Sequence, residues 1–164
     1  MVSLSSFVIR PLQPTEFPFL REMFYTALHV PKGAAPFPKS IIDTPELAKY
    51  INDWGRPDDI ALVAETAQQL VGAVWCRVLK GKERGYGYVD EATPELSLAI
   101  QPDFRNQGLG TQLMQAAFVA LQQKGFKQVS LSVDQDNKAV NLYYRLGFEL
   151  VEAVETAFTM KKIF

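Results

Sequence analysis

The stretch Arg105-Asn106-Gln107-Gly108-Leu109-Gly110 separates an alternating segment, Glu95-Leu96-Ser97-Leu98-Ala99-Ile100, from a run with helical periodicity. The alternation predicts a strand with Leu96, Leu98 and Ile100 on one face and Glu95, Ser97 and Ala99 on the other. From Gly108 to Lys124 the apolar Leu109, Leu113, Ala117, Ala120 and Leu121 recur at helical steps with glutamines outside, and Gly125 closes the helix. Strand, short turn and glycine-rich helix entry make an anion site. The first-turn N–H groups lack partners within the helix, and the macrodipole adds positive potential there. Gly108 and Gly110 have no side chains to keep a ligand away, and Arg105 adds a forked, permanent charge suited to phosphate oxygens.

The spacing excludes two other phosphate loops. No Gly-Lys-Ser/Thr follows, as a P-loop needs, and position 113, where a dinucleotide turn would carry its third glycine, is Leu. Two glycines alone would also serve a tight turn and close helix packing, so the neighbouring segments decide.

Upstream, Phe7 to Leu12 reads as a first strand, and Pro14-Thr15-Glu16-Phe17 opens a helix to about Leu28 with Phe17, Leu20, Phe24 and Leu28 at helical spacing. His29 to Pro38 is a proline- and glycine-rich loop with apolar content. Thr44-Pro45-Glu46 starts a second helix, Thr44 capping it and Leu47, Tyr50, Ile51 and Trp54 on one side, until Gly55. Ile60 to Thr66 and Leu70 to Leu79 make an antiparallel hairpin. Lys80 to Glu91 reads as a solvated loop, charged and glycine-rich and then aromatic. Downstream, Val129 to Val133 is a strand, Asp136 or Asn137 caps a short helix through Leu146 and Gly147, and Phe148 to Val154 and Ala157 to Ile163 are the last strands. The expected fold is one α/β (α+β) domain over residues 1–164, with about seven strands in a mixed, mostly antiparallel sheet and four helices.

Composition bounds the function. The chain has 164 residues, 48% of them apolar, enough for a sizeable core. Seventeen basic residues nearly cancel eighteen acidic ones, so no chain-wide positive field favours nucleic acid. Met1 to Gln13 lacks the basic flank and apolar run of a signal peptide, and no segment approaches the roughly 18 apolar residues of a membrane helix. A cytoplasmic location and no membrane partner are expected. One cysteine, Cys76, and one histidine, His29, provide neither a disulfide nor a soft metal cluster, so no metal is expected. Cys76 lies in an apolar strand and reads as a small hydrophobe.

Arg105-x-x-Gly108-x-Gly110 after a strand and a proline resembles the signature of the GNAT acyltransferase superfamily. Asn137-Lys138-Ala139-Val140-Asn141-Leu142-Tyr143-Tyr144-Arg145-Leu146-Gly147-Phe148 is similar to that superfamily's downstream segment, at the expected separation with one strand between. The resemblance implies acetyl-CoA as co-substrate, its pyrophosphate held by the turn amides of Asn106, Gln107, Gly108, Leu109, Gly110 and Thr111 beside Arg105. It implies that the strands at Glu95 to Ile100 and Val129 to Val133 splay apart. The pantetheine arm would then lie between them against Leu98, Ala99 and Ile100, within reach of Asn137.

The reaction implied is acetyl transfer to a primary amine of a small molecule, or less directly of a protein or peptide, by direct attack in a ternary complex. It needs a neutral amine, stabilisation of a developing oxyanion and a proton for the thiolate. Tyr143, the family's Leu-Tyr tyrosine, is the expected general acid near the sulfur, and packing is its alternative role. Glu95 falls where several members carry a base, often acting through water, with Asp90 and Glu91 as alternatives. The N–H near Ile100 is the implied oxyanion donor. His29 is a weaker candidate base. Acceptor specificity is expected on Leu28 to Phe37 and Lys80 to Asp90, where Tyr86, Tyr88, Phe37 and Trp54 could line a site and Asp90 or Glu91 attract a cationic amine. A non-catalytic acyl-CoA-binding sensor or interaction module is the alternative function. Oligomeric state stays open, dimers being common in this superfamily.

Overall fold

A computed structural model describes residues 7–164. Of the Met1 to Gln13 segment read for a leader, residues 1–6 lie outside the described residues. Seven strands form one sheet: β1 (Val8–Pro11), β2 (Ile60–Glu65), β3 (Leu70–Arg77), β4 (Glu95–Ile100), β5 (Gln128–Asp134), β6 (Glu149–Val154) and β7 (Ala157–Ile163), in the order β1-β2-β3-β4-β5-β7-β6. Every neighbouring pair is antiparallel except β4–β5. Four α-helices, α1 (Phe17–Ala27), α2 (Pro45–Ala48), α3 (Leu109–Gln123) and α4 (Ala139–Arg145), flank it.

The alternation of β4 decides what each face of the sheet packs against. Leu96, Leu98 and Ile100 turn toward Leu109, Leu113, Met114 and Ala117 of α3, where Tyr143 and Val140 of α4 join the core. Ala99 turns the other way, toward Leu20, Met23 and Phe24 of α1 and Trp75 of β3. The Phe24 and Trp75 rings meet edge to face at 6.0 Å, an arrangement that aromatic quadrupoles favour. Leu20, Leu113 and Leu121 are fully buried, so truncating any of them to alanine would cost about 2–5 kcal/mol.

Three expectations need correction. The second helix stops after one turn, at Ala48, and continues as turns in which Tyr50 N–H donates to Leu47 O (3.1 Å) and Asn52 N–H to Ala48 O (2.8 Å). The chain is pulled out of the helix because the Arg77 guanidinium takes the carbonyls of Lys49 (3.0 Å) and Asn52 (2.6 Å) for itself. Thr44 does not cap the helix with its side chain, since Thr44 Oγ1 donates to Ile41 O at 2.7 Å. The first helix begins as a 3-10 turn, Pro14–Glu16, before α1.

β4 and β5 meet at one register point, Glu95 opposite Ser130, where Ser130 N–H donates to Pro94 O at 3.0 Å. Beyond it they diverge, while β4 stays paired to β3 along its whole length and β5 to β7. The expected splay is present. It opens a V in the middle of the sheet, closed at Glu95 and wide at Ile100 and Asp134.

Candidate active site

The V is the floor of a cleft of about 1300 Å³ lined by β4, β5, the α3 entry, α4 and the loop after α1. Gln101 N–H donates to Val71 O of β3 at 2.9 Å, so the alternation of a paired strand turns the backbone groups of Leu98 and Ile100 toward the gap. Ile100 O accepts from Arg105 Nε at 2.9 Å, which draws the turn against the wide end of the V.

At that end the turn into α3 is shaped by two left-handed residues, Asn106 (φ 61) and Gly108 (φ 81). Asparagine is among the few side chains that tolerate this region, and glycine enters it without penalty. Gly108 is the N-cap, no side chain caps the helix, and the first turn contains no acidic residue. The first helical bond runs from Gln112 N–H to Gly108 O at 3.2 Å, which leaves the amides of Leu109, Gly110 and Thr111 for a ligand. A Cβ on Gly110 would touch Ile100 and Leu142 at 3.4 Å. Arg105, Asn106, Gly108, Gly110 and Thr111 all line the cleft, with Lys138 and Arg145 from the α4 side. The residues present therefore fit a pyrophosphate. Gln107 and Leu109 contribute no side chain to it: Leu109 is core at 1% exposure, and Gln107 Nε2 turns to Asp103 O at 3.4 Å.

Asn137 lines the cleft, and its Oδ1 accepts from Ala139 N–H at 2.9 Å, but Lys138 rather than Asp136 or Asn137 holds the N-cap position of α4. Tyr143, buried against Phe148 with ring centroids 5.7 Å apart, borders the cleft from α4. Burial pushes its phenol up to about 12, so it keeps its proton at neutral pH.

Glu95 stands at the closed end, on the face opposite α3, and is 3% exposed. Its carboxylate accepts from Gly85 N–H (3.0 Å), Gly87 N–H (2.9 Å) and Tyr50 Oη (3.2 Å). Burial raises its pKa above the ordinary carboxylate value, and the hydrogen bonds from Gly87, Gly85 and Tyr50 oppose that rise without cancelling it. A buried carboxylate with raised proton affinity bordering a cleft is suited to taking a proton from a substrate.

The alternative carboxylates are not brought there. Asp90 is occupied by Thr93 Oγ1 (2.7 Å), Ala92 N–H (2.9 Å) and Gln128 Nε2 (3.1 Å), and Glu91 is an exposed side chain 3.9 Å from Arg84. Of the aromatic residues expected around an acceptor, Tyr86 borders the cleft. Tyr88 lies under Arg84 (4.2 Å) and Trp54 under Arg77 (4.9 Å), and Phe37 is a surface residue whose carbonyl accepts from Tyr25. Phe24 and Tyr50 take their place in the wall. Cys76 is fully buried and its thiol is pushed up by burial, so it is no nucleophile.

Sequence reading missed three features. The Gly85–Gly87 turn wraps Glu95 where a solvated loop was expected; the signal was a pair of glycines flanking Tyr86. His29 sits 3.1 Å from Asp136, with Asp134 beside them, across the wide end of the V. Arg77 and Asp59 form a buried pair at 2.8 Å beneath α2.

A family model described as the acetyltransferase (GNAT) family matches residues 20–148. The chain is 31% identical over 106 residues to a mycothiol acetyltransferase of Propionibacterium freudenreichii subsp. shermanii, covering 63% of this chain and 31% of that protein. It is 30% identical over 103 residues to N-alpha-acetyltransferase 30 of Schizosaccharomyces pombe, covering 60% of this chain and 61% of that one. The chain thus spans about a third of the mycothiol acetyltransferases it matches. The crystal structure of PaiA N-acetyltransferase from Thermoplasma acidophilum in complex with coenzyme A has the same fold, with a TM-score of 0.72 at 19% identity over 97% of this chain and 99% of that one. With the diverging strands and the bare start of α3 already in place, a match across residues 20–148 places this chain in the GNAT acetyltransferase family.

Proposed function

We propose that residues 1–164 act as one acetyltransferase domain that transfers an acetyl group from acetyl-CoA to a primary amine of a small molecule by direct attack in a ternary complex. The observation that carries this is the V itself: it has a helix start built for an anion at its wide end and a proton-accepting carboxylate, Glu95, at its closed end. Acetyl-CoA would supply the activated thioester carbonyl.

The chain's residues would do the rest. The amides of Leu109, Gly110 and Thr111, with Arg105, would hold the pyrophosphate, and the inward-turned backbone of Leu98 and Ile100 would pair with the pantetheine arm. The Ile100 N–H would face the charge that develops on the carbonyl oxygen. Glu95 would take the proton of the attacking amine, through water because so little of it is exposed. Tyr143 would hand its phenol proton to the departing sulfur. With no reactive thiol in the cleft, direct transfer is favoured over an acyl-enzyme. The names of the relatives, a mycothiol acetyltransferase and an N-alpha-acetyltransferase, agree with acetyl transfer.

The test is free-thiol release from acetyl-CoA across polyamines, amino acids, aminoglycosides and peptides. Turnover with at least one small-molecule amine is expected. Silence across the panel beside measurable coenzyme A binding would overturn catalysis in favour of an acyl-CoA sensor, and turnover with peptides alone would overturn the small-molecule class.

A further inference from the structure

No motif singles out Tyr50. It lies in the turns after α2, 9% exposed, its ring centroid 5.7 Å from that of Phe24. Its hydroxyl accepts from Tyr86 N–H at 2.7 Å and reaches Glu95 Oε1 at 3.2 Å. An amide N–H can only donate, so the phenol proton points at the carboxylate.

The turn that presents Tyr86 also sends Gly85 N–H and Gly87 N–H to the same carboxylate. A Cβ on Gly85 would stand 2.3 Å from Glu95 Oε1 and 2.4 Å from Tyr50 Oη, and one on Gly87 would stand 2.7 Å from the Leu131 carbonyl carbon. Turn, phenol and carboxylate therefore interlock between α2 and β5. We infer that Tyr50 is a positioning residue for acetyl transfer: it fixes Glu95 at the closed end of the V, sets the pH at which that carboxylate takes the amine's proton, and seats Tyr86 at the acceptor mouth. This rests on the reading of Glu95 as the base.

The groups facing Glu95 leave Tyr50 a distinct part. From the end of α2, Lys49 sits 5.7 Å over the Tyr86 ring and donates to Arg84 O at 2.6 Å. From β3, Arg77 stands opposite Glu95 but is bound to Asp59. From β5, the partner is the uncharged Ser130. From the loop come Tyr86 and the two glycine amides. Tyr50 is the side-chain donor that touches the carboxylate.

Tyr50→Phe keeps the ring and its packing and removes that donor. The ionised carboxylate then loses stabilisation, so the acidic limb of kcat/KM moves up by about one pH unit, a roughly tenfold loss below the limb. The KM for the amine rises and acetyl-CoA affinity, read by calorimetry, stays the same. An equal loss at every pH, or an unmoved limb, overturns the inference. 3-Fluorotyrosine at position 50, a stronger donor of nearly the same shape, moves the limb the other way and stands in if Tyr50→Phe does not fold; no movement there also overturns it. Glu95→Gln run alongside separates the two readings. An intact rate in that variant overturns Glu95 as base and this inference with it. A collapsed rate there beside an unmoved limb in Tyr50→Phe overturns the Tyr50 role alone.

Discussion

Arg77 on β3 and Glu95 on β4 stand directly opposite each other in register, and each is held by a different partner. Arg77 forks onto Asp59, Nε to Oδ1 at 2.9 Å and the terminal nitrogen to Oδ2 at 2.8 Å, while Glu95 takes neutral donors. Burial therefore outweighs the neutral donors and the charge of nearby Lys49, and the proton affinity of Glu95 stays above that of an ordinary carboxylate.

The first expectation is a pH dependence. A proton on Glu95 removes the base, so kcat/KM should fall as pH drops through the pKa of Glu95. Because burial raises that pKa, the limb should lie above the ordinary carboxylate range. Glu95→Gln should abolish the limb and lower the plateau by about 10²-fold or more, measured by thiol release across pH. A limb that persists in Glu95→Gln would assign it to another group.

Tyr143→Phe should lower kcat by about 10²-fold and leave acetyl-CoA affinity intact in calorimetry. An unchanged rate across pH would reduce Tyr143 to its packing against Phe148.

Gly108→Val asks a β-branched residue to adopt φ 81, at a cost of roughly 1–2 kcal/mol, and points a side chain at the anion site. Coenzyme A affinity should fall at least about tenfold by calorimetry. Undiminished affinity would remove the pyrophosphate from the α3 entry.

Asp59→Asn leaves Arg77, its side chain 2% exposed, without a counter-ion, and should cost about 3–5 kcal/mol, read from chemical denaturation. Burial alone would raise the pKa of Asp59, but the hydrogen bonds from Arg77 and from the Gly55 and Arg56 amides hold it low. A carboxylate with a lowered folded pKa adds stability above its unfolded pKa and loses it as pH falls through the folded one. The wild type should therefore lose stability on acidification, and Asp59→Asn should lose less.

Gly85→Ala places a Cβ 2.3 Å from Glu95 Oε1 and should displace the turn, lowering both melting temperature and kcat/KM. Gly81→Ala meets open space at φ +61 and should cost only about 1–2 kcal/mol with kcat/KM unchanged. Equal effects of the two on turnover would show that the turn does not serve Glu95.

What the sequence determined by itself was local. Alternation assigned the two faces of Glu95–Ile100, and helical spacing marked the buried side of α3, because backbone periodicity alone dictates which side chains share a face. The bare, glycine-led start of α3 was legible for the same reason: its unpaired amides are a property of any helix start. Tyr50 and Ile51, which helical spacing puts on one side, are both buried, although their helix ends early.

Tertiary structure alone decided what happens between distant segments. Arg77 unwinds the second helix by competing for carbonyls 25 and 28 residues away, and no local propensity encodes that competition. The resemblance put Glu95 ahead of Asp90 and Glu91 but left all three open as the base. Glu95 became the buried, proton-hungry one because Gly85–Gly87 and Tyr50 close around it where β4 and β5 part. A carboxylate's chemistry is set by its solvation and its donors, and both come here from residues 8 to 45 positions away in the chain.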